Sequence, residues 1–272
     1  MPGPDAARYL IAGRGEPVAR PFNLRWLLPA VCGDDLRLWR LTWLLSWPVT
    51  AAAAFWWASA HVDGWQVPAA TAVLLVALPG LWGPSAVRPV GVDLPALAVT
   101  LIAAAFWANG YEPVAIVFAI WAATIKETQP VWLALWCWSP WPLVALVAPA
   151  IAALVRKPAL DPVTAQPHLK QIHDHPIRTA LLAHAGRWRD GWLMVAPWGA
   201  CLAALYRPTA AVLATLAAAH TQLFIATDTV RLLHTAAGPV VALAAAQAIP
   251  VEWLPLAVLA GSIAWWRPPE VI

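Results

Sequence analysis

Long apolar runs recur along almost the whole chain, and they constrain the fold more than any single motif does. They are separated by short polar breaks that often contain proline or glycine. A helix needs about 20 residues to cross a bilayer, within a range of about 17 to 25. The runs therefore predict an all-α, polytopic integral membrane protein with about eight or nine membrane segments, the shorter ones kinked or re-entrant. The segments are 41–61, 67–82, 94–107, 113–125, 130–155, 191–206, 208–226, 229–249 and 251–266.

Composition supports a multi-pass protein of the cell membrane, with membrane lipid as its partner. Of 272 residues, 61% are hydrophobic and only 11% are charged, whereas soluble domains carry about 25% charged residues. The net charge is +3, and the basic residues cluster near segment ends, which indicates topology signals and no nucleic-acid partner. Three distant cysteines without a CxxC pair predict neither a zinc site nor a disulfide framework.

Tryptophan is abundant, with 20 residues, many of them near the ends of apolar segments. Indole rings favour the membrane–water interface, where the ring is buried and the N–H stays hydrated. Trp39, Trp43 and Trp47 recur every fourth residue, so they share one helix face. That face is expected to serve packing or the interface before any ligand stacking.

The chain shows no repeat and no low-complexity linker, which predicts a single membrane domain over 1–272. The basic loop 156–190 carries six Lys and Arg, so the positive-inside rule predicts that it is cytoplasmic. Counting five crossings back places 1–40 outside, although this segment also holds six arginines. Either the fold holds 1–40 outside, or one short pair is re-entrant and both segments are cytoplasmic.

A polar break, Lys126 to Gln129, interrupts the apolar sequence between Ile125 and Val131. It is either a structural ion pair at a helix end or a carboxylate that faces a cavity and binds a polar substrate. Adjacent residues on a helix do not face each other. A flanked carboxylate must find a cation or donors, or take up a proton. The expected partner of Glu127 is therefore Arg25, or another arginine of the first forty residues.

A second polar stripe lies in "IATDTVRLLHTAAGP". Asp228, Arg231 and His234 are spaced three apart, so Asp228 and Arg231 can pair on a helix. The stripe either caps a helix or binds a phosphate-bearing ligand, because arginine offers a planar and permanently charged donor. Polar residues at membrane depth usually mark function.

The N-terminal segment combines Asp5, Arg8 and Tyr9 with Arg20 and Arg25. This combination suits an anionic, lipid-linked substrate, or else a surface tail that lipid headgroups order.

Three histidines, His168, His173 and His175, lie in the basic loop with one acid beside them. A solvated loop is favoured over a metal site there, because zinc sites need a closed set of ligands. No cofactor is predicted, although a divalent metal stays open.

Three stretches carry a family resemblance: "DAARYLIAGRGEPVARPFNLRWLLP", "IKETQPVWLALW" and "TDTVRLLHTAAGP". In this order they resemble the first loop, the "R-E-T" junction and the late "D-x-x-R" helix of polytopic GT-C-type glycosyltransferases. The resemblance implies sugar transfer from a polyprenyl-phosphate donor to an acceptor at the membrane face. It implies catalytic roles for Asp5, as general base, and Glu127. Implied substrate-binding residues are Arg25, Lys126, Asp228, Arg231 and His234.

Two departures from the family bear on this expectation. Only four residues precede Asp5, where members have a membrane helix, and the chain is short. The protein is then a reduced member, with a composition that favours a GC-rich source such as an actinobacterium or its bacteriophage, or it keeps the scaffold without the chemistry. The alternative function is a non-catalytic polytopic membrane protein that binds or assembles. A transporter is less favoured, because it predicts internal repeats.

Overall fold

The computed structural model describes residues 4–81, 90–156, 177–178, 181–182, 196–222 and 229–262. This part of the chain folds into helices and turns and contains no strand, which confirms the all-α prediction. The α-helices are α1 (Pro4–Gly13), α2 (Leu27–Cys32), α3 (Leu36–Ser59), α4 (Gln66–Ala77), α5 (Asp93–Ala108), α6 (Glu112–Ile125), α7 (Gln129–Trp136), α8 (Val147–Val155), α9 (Ala210–Thr221), α10 (Thr229–Ala248) and α11 (Leu254–Ser262). The 3-10 helices span Phe22–Leu24, Trp141–Leu146, Ala196–Leu205 and Val251–Trp253.

The helices fall into two compact units. The first unit comprises Met1–Thr50 and Pro84–Lys170, and the second comprises Ala51–Gly83 and Gln171–Ile272. Each unit has its own packed interior. The single membrane domain expected from the sequence stays a prediction.

The N-terminal segment belongs to the interior of the first unit and is not a surface tail. Tyr9 and Phe22 are buried in one apolar cluster with Trp39 of α3. The end of α1 lies so close to the turn after α2 that a Cβ on Gly13 would come within 2.1 Å of the Gly33 carbonyl oxygen. Only glycine fits at that approach. Trp39 is fully buried in the apolar cluster, so it serves packing, which is one of the two roles expected for its helix face.

Helices α5 and α6 form the main hairpin of the first unit, joined by a turn at 109–111. Their bounds agree with the apolar runs 94–107 and 113–125. The run 130–155 differs, because it is broken into α7, a 3-10 helix and α8. The break follows Trp138, which has a left-handed φ of 49°, and includes Pro140, whose ring is incompatible with a continuing helix.

The second unit is built around α10, which packs on α4, α9 and the 3-10 helix Ala196–Leu205. That 3-10 helix is kinked at Gly199, where φ is 49°.

Among the described helices, none is long and apolar enough by itself to cross a membrane. One pair, Arg231–Ala248 with Val251–Ala257, reaches that length and composition together and is bent by 116°. The count of eight or nine membrane segments is not confirmed.

A candidate functional site in the first unit

The polar break after Ile125 separates two helices and turns its two charged side chains toward different partners. Helix α6 ends at Ile125, and Lys126 follows in an extended conformation, with φ −149° and ψ 115°. Helix α7 begins at Gln129, with Pro130 in its first turn, where a missing N–H costs nothing. Because the Lys126 backbone is extended, the helix stops there, and the side chains of Lys126 and Glu127 point toward different partners.

Glu127 forms a two-pronged ion pair with Arg25. The Arg25 Nε donates to Glu127 Oε2 at 2.7 Å, and Nη2 donates to Oε1 at 2.7 Å. The side chains of Arg25 and Glu127 are only 15% and 19% exposed. Such a planar fork is the strongest geometry available to an arginine and a carboxylate. The prediction that Glu127 pairs with an arginine of the first forty residues is confirmed.

Arg25 also reaches Tyr9, so the fork extends to α1. Its Nη1 donates to the Tyr9 hydroxyl oxygen at 2.9 Å. Burial raises the pKa of Tyr9 above its usual value, and Asp5 and Asp93 raise it further, against the opposing charge of Arg25. The phenol is therefore neutral at physiological pH and accepts the hydrogen bond as an uncharged group.

The two ends of the fork stay ionised despite their burial. Burial alone would raise the pKa of Glu127, but the hydrogen bonds and charge of Arg25 hold that pKa below its ordinary value. Burial would lower the pKa of Arg25, but Tyr9 and Glu127 raise it well above the usual range. Both groups are therefore charged at physiological pH.

Lys126 uses a different partner. Its Nζ donates to the carboxylate of Asp93, the first residue of α5. Both side chains lie largely inside the protein. A carboxylate in the first turn of a helix also interacts favourably with the helix dipole. Lys126 thus ties the end of α6 to the start of α5.

A third pair lies on α1. Arg8 contacts Asp5 at 3.5 Å, and its guanidinium sits 4.8 Å from the centre of the Phe22 ring. The guanidinium of Arg25 lies 5.4 Å from the same ring, within the range of a cation–π interaction. Arg8 is buried, whereas the Asp5 side chain is 45% exposed.

These residues define the polar layer of the first unit: Asp5, Arg8, Tyr9, Arg25, Asp93, Lys126 and Glu127. It contains three cations and three carboxylates, so its formal charge is zero at neutral pH. The pairs connect the N-terminal segment to the α6–α7 junction and that junction to α5. Chemically, the layer can fix these segments together, and its half-exposed carboxylate can meet a solute.

Next to the polar layer, Gln129 lies fully buried and bonds Thr100 of α5 through its Oε1 at 2.9 Å. Gln129 Nε2 and Thr128 Oγ1 have no partner within the described part of the chain. Sequence reasoning named neither Asp93 nor Thr100. The signal for Asp93 was present, because an acid directly precedes the apolar run 94–107. Thr100 lies inside that run and carries no such signal.

The late polar stripe belongs to the second unit. His234 is buried, and its Nδ1 accepts a hydrogen bond from the Gly80 N–H at 3.0 Å. Its ring stacks edge-on against Trp198 at 4.7 Å. These contacts give His234 a structural role in the interior. Arg231 lies on α10, while Asp228 lies outside the described residues, so their pairing stays a prediction.

No group of three or more metal-binding side chains occurs among the described residues. The histidines 168, 173 and 175 lie outside that part of the chain.

Comparisons of the chain with protein-family models, with curated proteins and with solved structures return no match. The resemblance to GT-C-type glycosyltransferases therefore stays a hypothesis that rests on the three quoted stretches.

Proposed function

We propose that the chain is a polytopic integral membrane protein. The observation that carries this proposal is an inverted distribution of side-chain size. On α6, on α8 and on the 3-10 helix before α8, small side chains fill the contacts between helices and large apolar side chains point outward, whereas elsewhere large residues such as Trp39 and Leu97 are buried. Soluble proteins bury their large apolar residues, whereas membrane helices approach each other through small residues and present large ones to lipid.

Helix α8 and the 3-10 helix before it show this inversion. Ala145 and Ala152 are buried on one side. Val144, Val147 and Ile151 are exposed on the other. Exposing three branched apolar side chains to water on one stripe would be unfavourable, because burying each of them stabilises a protein by about 1.5–3 kcal/mol.

Helix α6 repeats the pattern. Its buried face is made of Ala115, Ala119 and Ala122, while Val117 and Trp121 are exposed. Helix α3 likewise exposes leucines along its first half. The same inversion on separate helices supports lipid as the surrounding solvent.

Several exposed aromatic side chains stand at or near helix ends, where an interface would hold them. Trp65 and Tyr111 directly precede α4 and α6, Trp138 and Tyr206 lie at other turns, and Trp253 ends a 3-10 helix. Tryptophan and tyrosine are enriched at the membrane–water boundary. Their positions support membrane segments that end near these turns.

Alkaline carbonate extraction with flotation on lipid vesicles tests the proposal. The protein should stay in the membrane pellet and float with vesicles. A Val147→Lys/Ile151→Lys variant should be less stable in vesicles than the parent, because a lysine that faces the acyl region costs up to about 2.5–3.5 kcal/mol. Glu16→Lys, at an exposed polar position, is the matched control and should behave like the parent. Release of the parent protein by carbonate would contradict the proposal.

Within such a membrane protein, the polar layer supports a non-catalytic, architectural role best. Its three cations are each matched by a carboxylate, which leaves no excess positive charge among these six side chains for a phosphate. A closed fork such as that between Arg25 and Glu127 holds two segments in register. The assembly or binding function of the protein would then use other surfaces.

Sugar transfer from a polyprenyl-phosphate donor is the second candidate, and Asp5 favours it. Asp5 has the most exposed side chain of the three ion pairs in the polar layer. It lies one helical turn from buried Arg8 and Tyr9. A general base must reach the hydroxyl of an acceptor, and Asp5 is the carboxylate of the layer that a solute can meet. In this role Arg25, held by Glu127, would bind the donor phosphate.

One assay separates the two candidates. Protein in vesicles is given polyprenyl-phosphate mannose or glucose, and released polyprenyl phosphate is measured. For an architectural layer, we expect no release, and Glu127→Gln lowers stability. For a transferase, Asp5→Asn should abolish release in protein that is still folded, as denaturant unfolding of the same sample checks, because Asp5 is the half-exposed carboxylate of the layer. Release that Asp5→Asn leaves intact would exclude Asp5 as the base.

A further inference from the structure

The two ends of the segment 127–156 meet the same short stretch of the N-terminal segment. At the first end, Glu127 holds Arg25 through the two-pronged ion pair. At the other end, the Arg156 carbonyl oxygen accepts a hydrogen bond from Asn23 Nδ2 at 3.0 Å. The Arg156 guanidinium also lies 5.4 Å from the Trp26 ring. The segment of about thirty residues thus begins and ends in contact with residues 23–26.

Between these ends the chain turns back. Helix α7 has eight residues, a length of about 12 Å at 1.5 Å per residue. The return arm, a six-residue 3-10 helix followed by nine residues of α8, measures about 25 Å. Both ends of the segment contact residues 23–26, and the backbone turns at Trp138, so the two arms return the chain to the side on which the segment begins. The apolar run 130–155, long enough by composition for one crossing, therefore forms a hairpin.

The tip and the return arm carry the outward apolar surface. Trp138 and Trp141 flank the tip and are 63% and 66% exposed. Trp138 keeps the left-handed φ that a bulky residue rarely adopts. On the return arm, the exposed face of Val144, Val147 and Ile151 continues from the tip toward Arg156. Indole rings and branched aliphatic side chains suit the acyl region just below the headgroups.

We infer that residues 127–156 form a re-entrant hairpin, which enters the bilayer on the side of the arginine-rich N-terminal segment and leaves it on the same side. Its partner is the acyl layer of that leaflet. This inference rests on the proposed membrane function and adds the path of the chain. It also puts the end of the hairpin, at position 156, on that same side.

The charge pattern agrees with this path. With the hairpin excluded, the apolar runs 41–61, 67–82, 94–107 and 113–125 are the four proposed crossings before 156, so segment 1–40 and position 156, where the basic stretch 156–190 begins, share one side in this proposal. Segments 1–40 and 156–190 each hold six Lys and Arg. The turn at 109–111, counted to the opposite side, contains none. The positive-inside rule then places both basic segments in the cytoplasm, and the conflict of the five-crossing count disappears.

Cysteine labelling in oriented membrane vesicles tests the hairpin. The three native cysteines are replaced by alanine, and Arg20→Cys, Arg156→Cys and Asn109→Cys are made singly at exposed positions. Arg156→Cys keeps the carbonyl that Asn23 contacts. An impermeant maleimide should label positions 20 and 156 at least tenfold faster in inside-out vesicles than in right-side-out vesicles. Position 109, in the α5–α6 turn, should show the reverse preference.

The outcomes are distinct. Labelling of positions 20 and 156 from opposite faces would overturn the hairpin, because the segment between them would cross the bilayer. Labelling of both only from the outer face would overturn the cytoplasmic assignment. Equal labelling of all three positions in both vesicle types would instead contradict the membrane proposal on which the inference rests.

Discussion

Two regions of this molecule bury polar side chains, and they provide partners for these side chains in different ways. In the polar layer of the first unit, charged side chains from separate segments pair with one another, and Tyr9 adds a neutral hydroxyl. In the second unit, buried His234 accepts a hydrogen bond from one backbone N–H and packs edge-on against one indole ring. The residues of the polar layer lie outside the apolar runs of the sequence, whereas His234 lies inside the run 229–249.

The difference shows what a buried polar residue requires. A neutral imidazole needs only a donor or acceptor of its own, and the backbone near Gly80 supplies a donor. An ionised side chain needs a counter-charge, because the cost of leaving a buried charge unpaired is several kcal/mol. Charged positions therefore need a charged partner from another segment, whereas a neutral histidine can use a backbone group, here the N–H of Gly80, 154 positions away.

Removing a charge from the polar layer should have the largest effect. Arg25→Met leaves Glu127 buried without its cation, and we expect the free energy of unfolding to fall by about 3–5 kcal/mol. Denaturant unfolding in detergent solution measures it. Arg14→Met is the matched control, because Arg14 pairs with Glu16 at an exposed site and should cost less than about 1 kcal/mol. Equal costs for the two variants would mean that the fork is solvated.

His234→Phe should have an intermediate effect. The ring keeps most of its shape against Trp198, but the Gly80 N–H loses its acceptor. An unsatisfied buried donor costs about 1–3 kcal/mol. Exposed His61 provides the control variant His61→Phe, which should change stability by less than about 0.5 kcal/mol. If His234→Phe lowered the free energy of unfolding as much as Arg25→Met does, the buried histidine and the buried ion pair would not differ in the way described.

Tyr9→Phe should have a smaller effect. It removes one neutral hydroxyl that accepts from Arg25, while Arg25 keeps both bonds to Glu127. A single hydrogen bond contributes about 0.5–1.5 kcal/mol. Tyr111→Phe, at an exposed tyrosine, is the control and should be nearly neutral. A Tyr9→Phe cost above that of Arg25→Met would show that Tyr9, and not the ion pair, organises the layer.

Acid should weaken the layer gradually. Because Arg25 holds the pKa of Glu127 below its ordinary value, the unfolded chain binds a proton at Glu127 more readily than the folded one. Its contribution to stability is present above the unfolded pKa of about 4.3 and is lost as the pH falls through the lower folded pKa. The stability difference between the parent and Glu127→Gln should therefore shrink below about pH 4. A difference that stays constant from pH 7 to pH 3 would contradict this.

The sequence predicted most helix positions and one essential contact. The bounds of α5 and α6 followed from apolar runs that end at polar or glycine-containing turns. The pairing of Glu127 with Arg25 followed from two rules: a flanked carboxylate needs a cation, and its neighbour Lys126 cannot supply it. These predictions depend on local chemistry, which the sequence displays directly.

Other features could not be predicted from local chemistry. The partner of Lys126 is 33 positions away, and no spacing rule connects the two residues. The turn at the tip of the hairpin is hidden in "WCWSPWP", where tryptophan and proline keep the run apolar while the backbone reverses. Hydropathy measures composition, so a hairpin and a crossing with the same composition look alike.

A double-mutant cycle on Arg25 and Glu127 tests most directly that the break after Ile125 is an internal ionic connection. Arg25→Met, Glu127→Leu and the double variant are unfolded in the same detergent. If the pair is buried and mutual, each single variant leaves an unpaired charge, and the double variant should be more stable than either by at least about 1.5 kcal/mol. A double variant that loses the simple sum of the two single effects would contradict the connection.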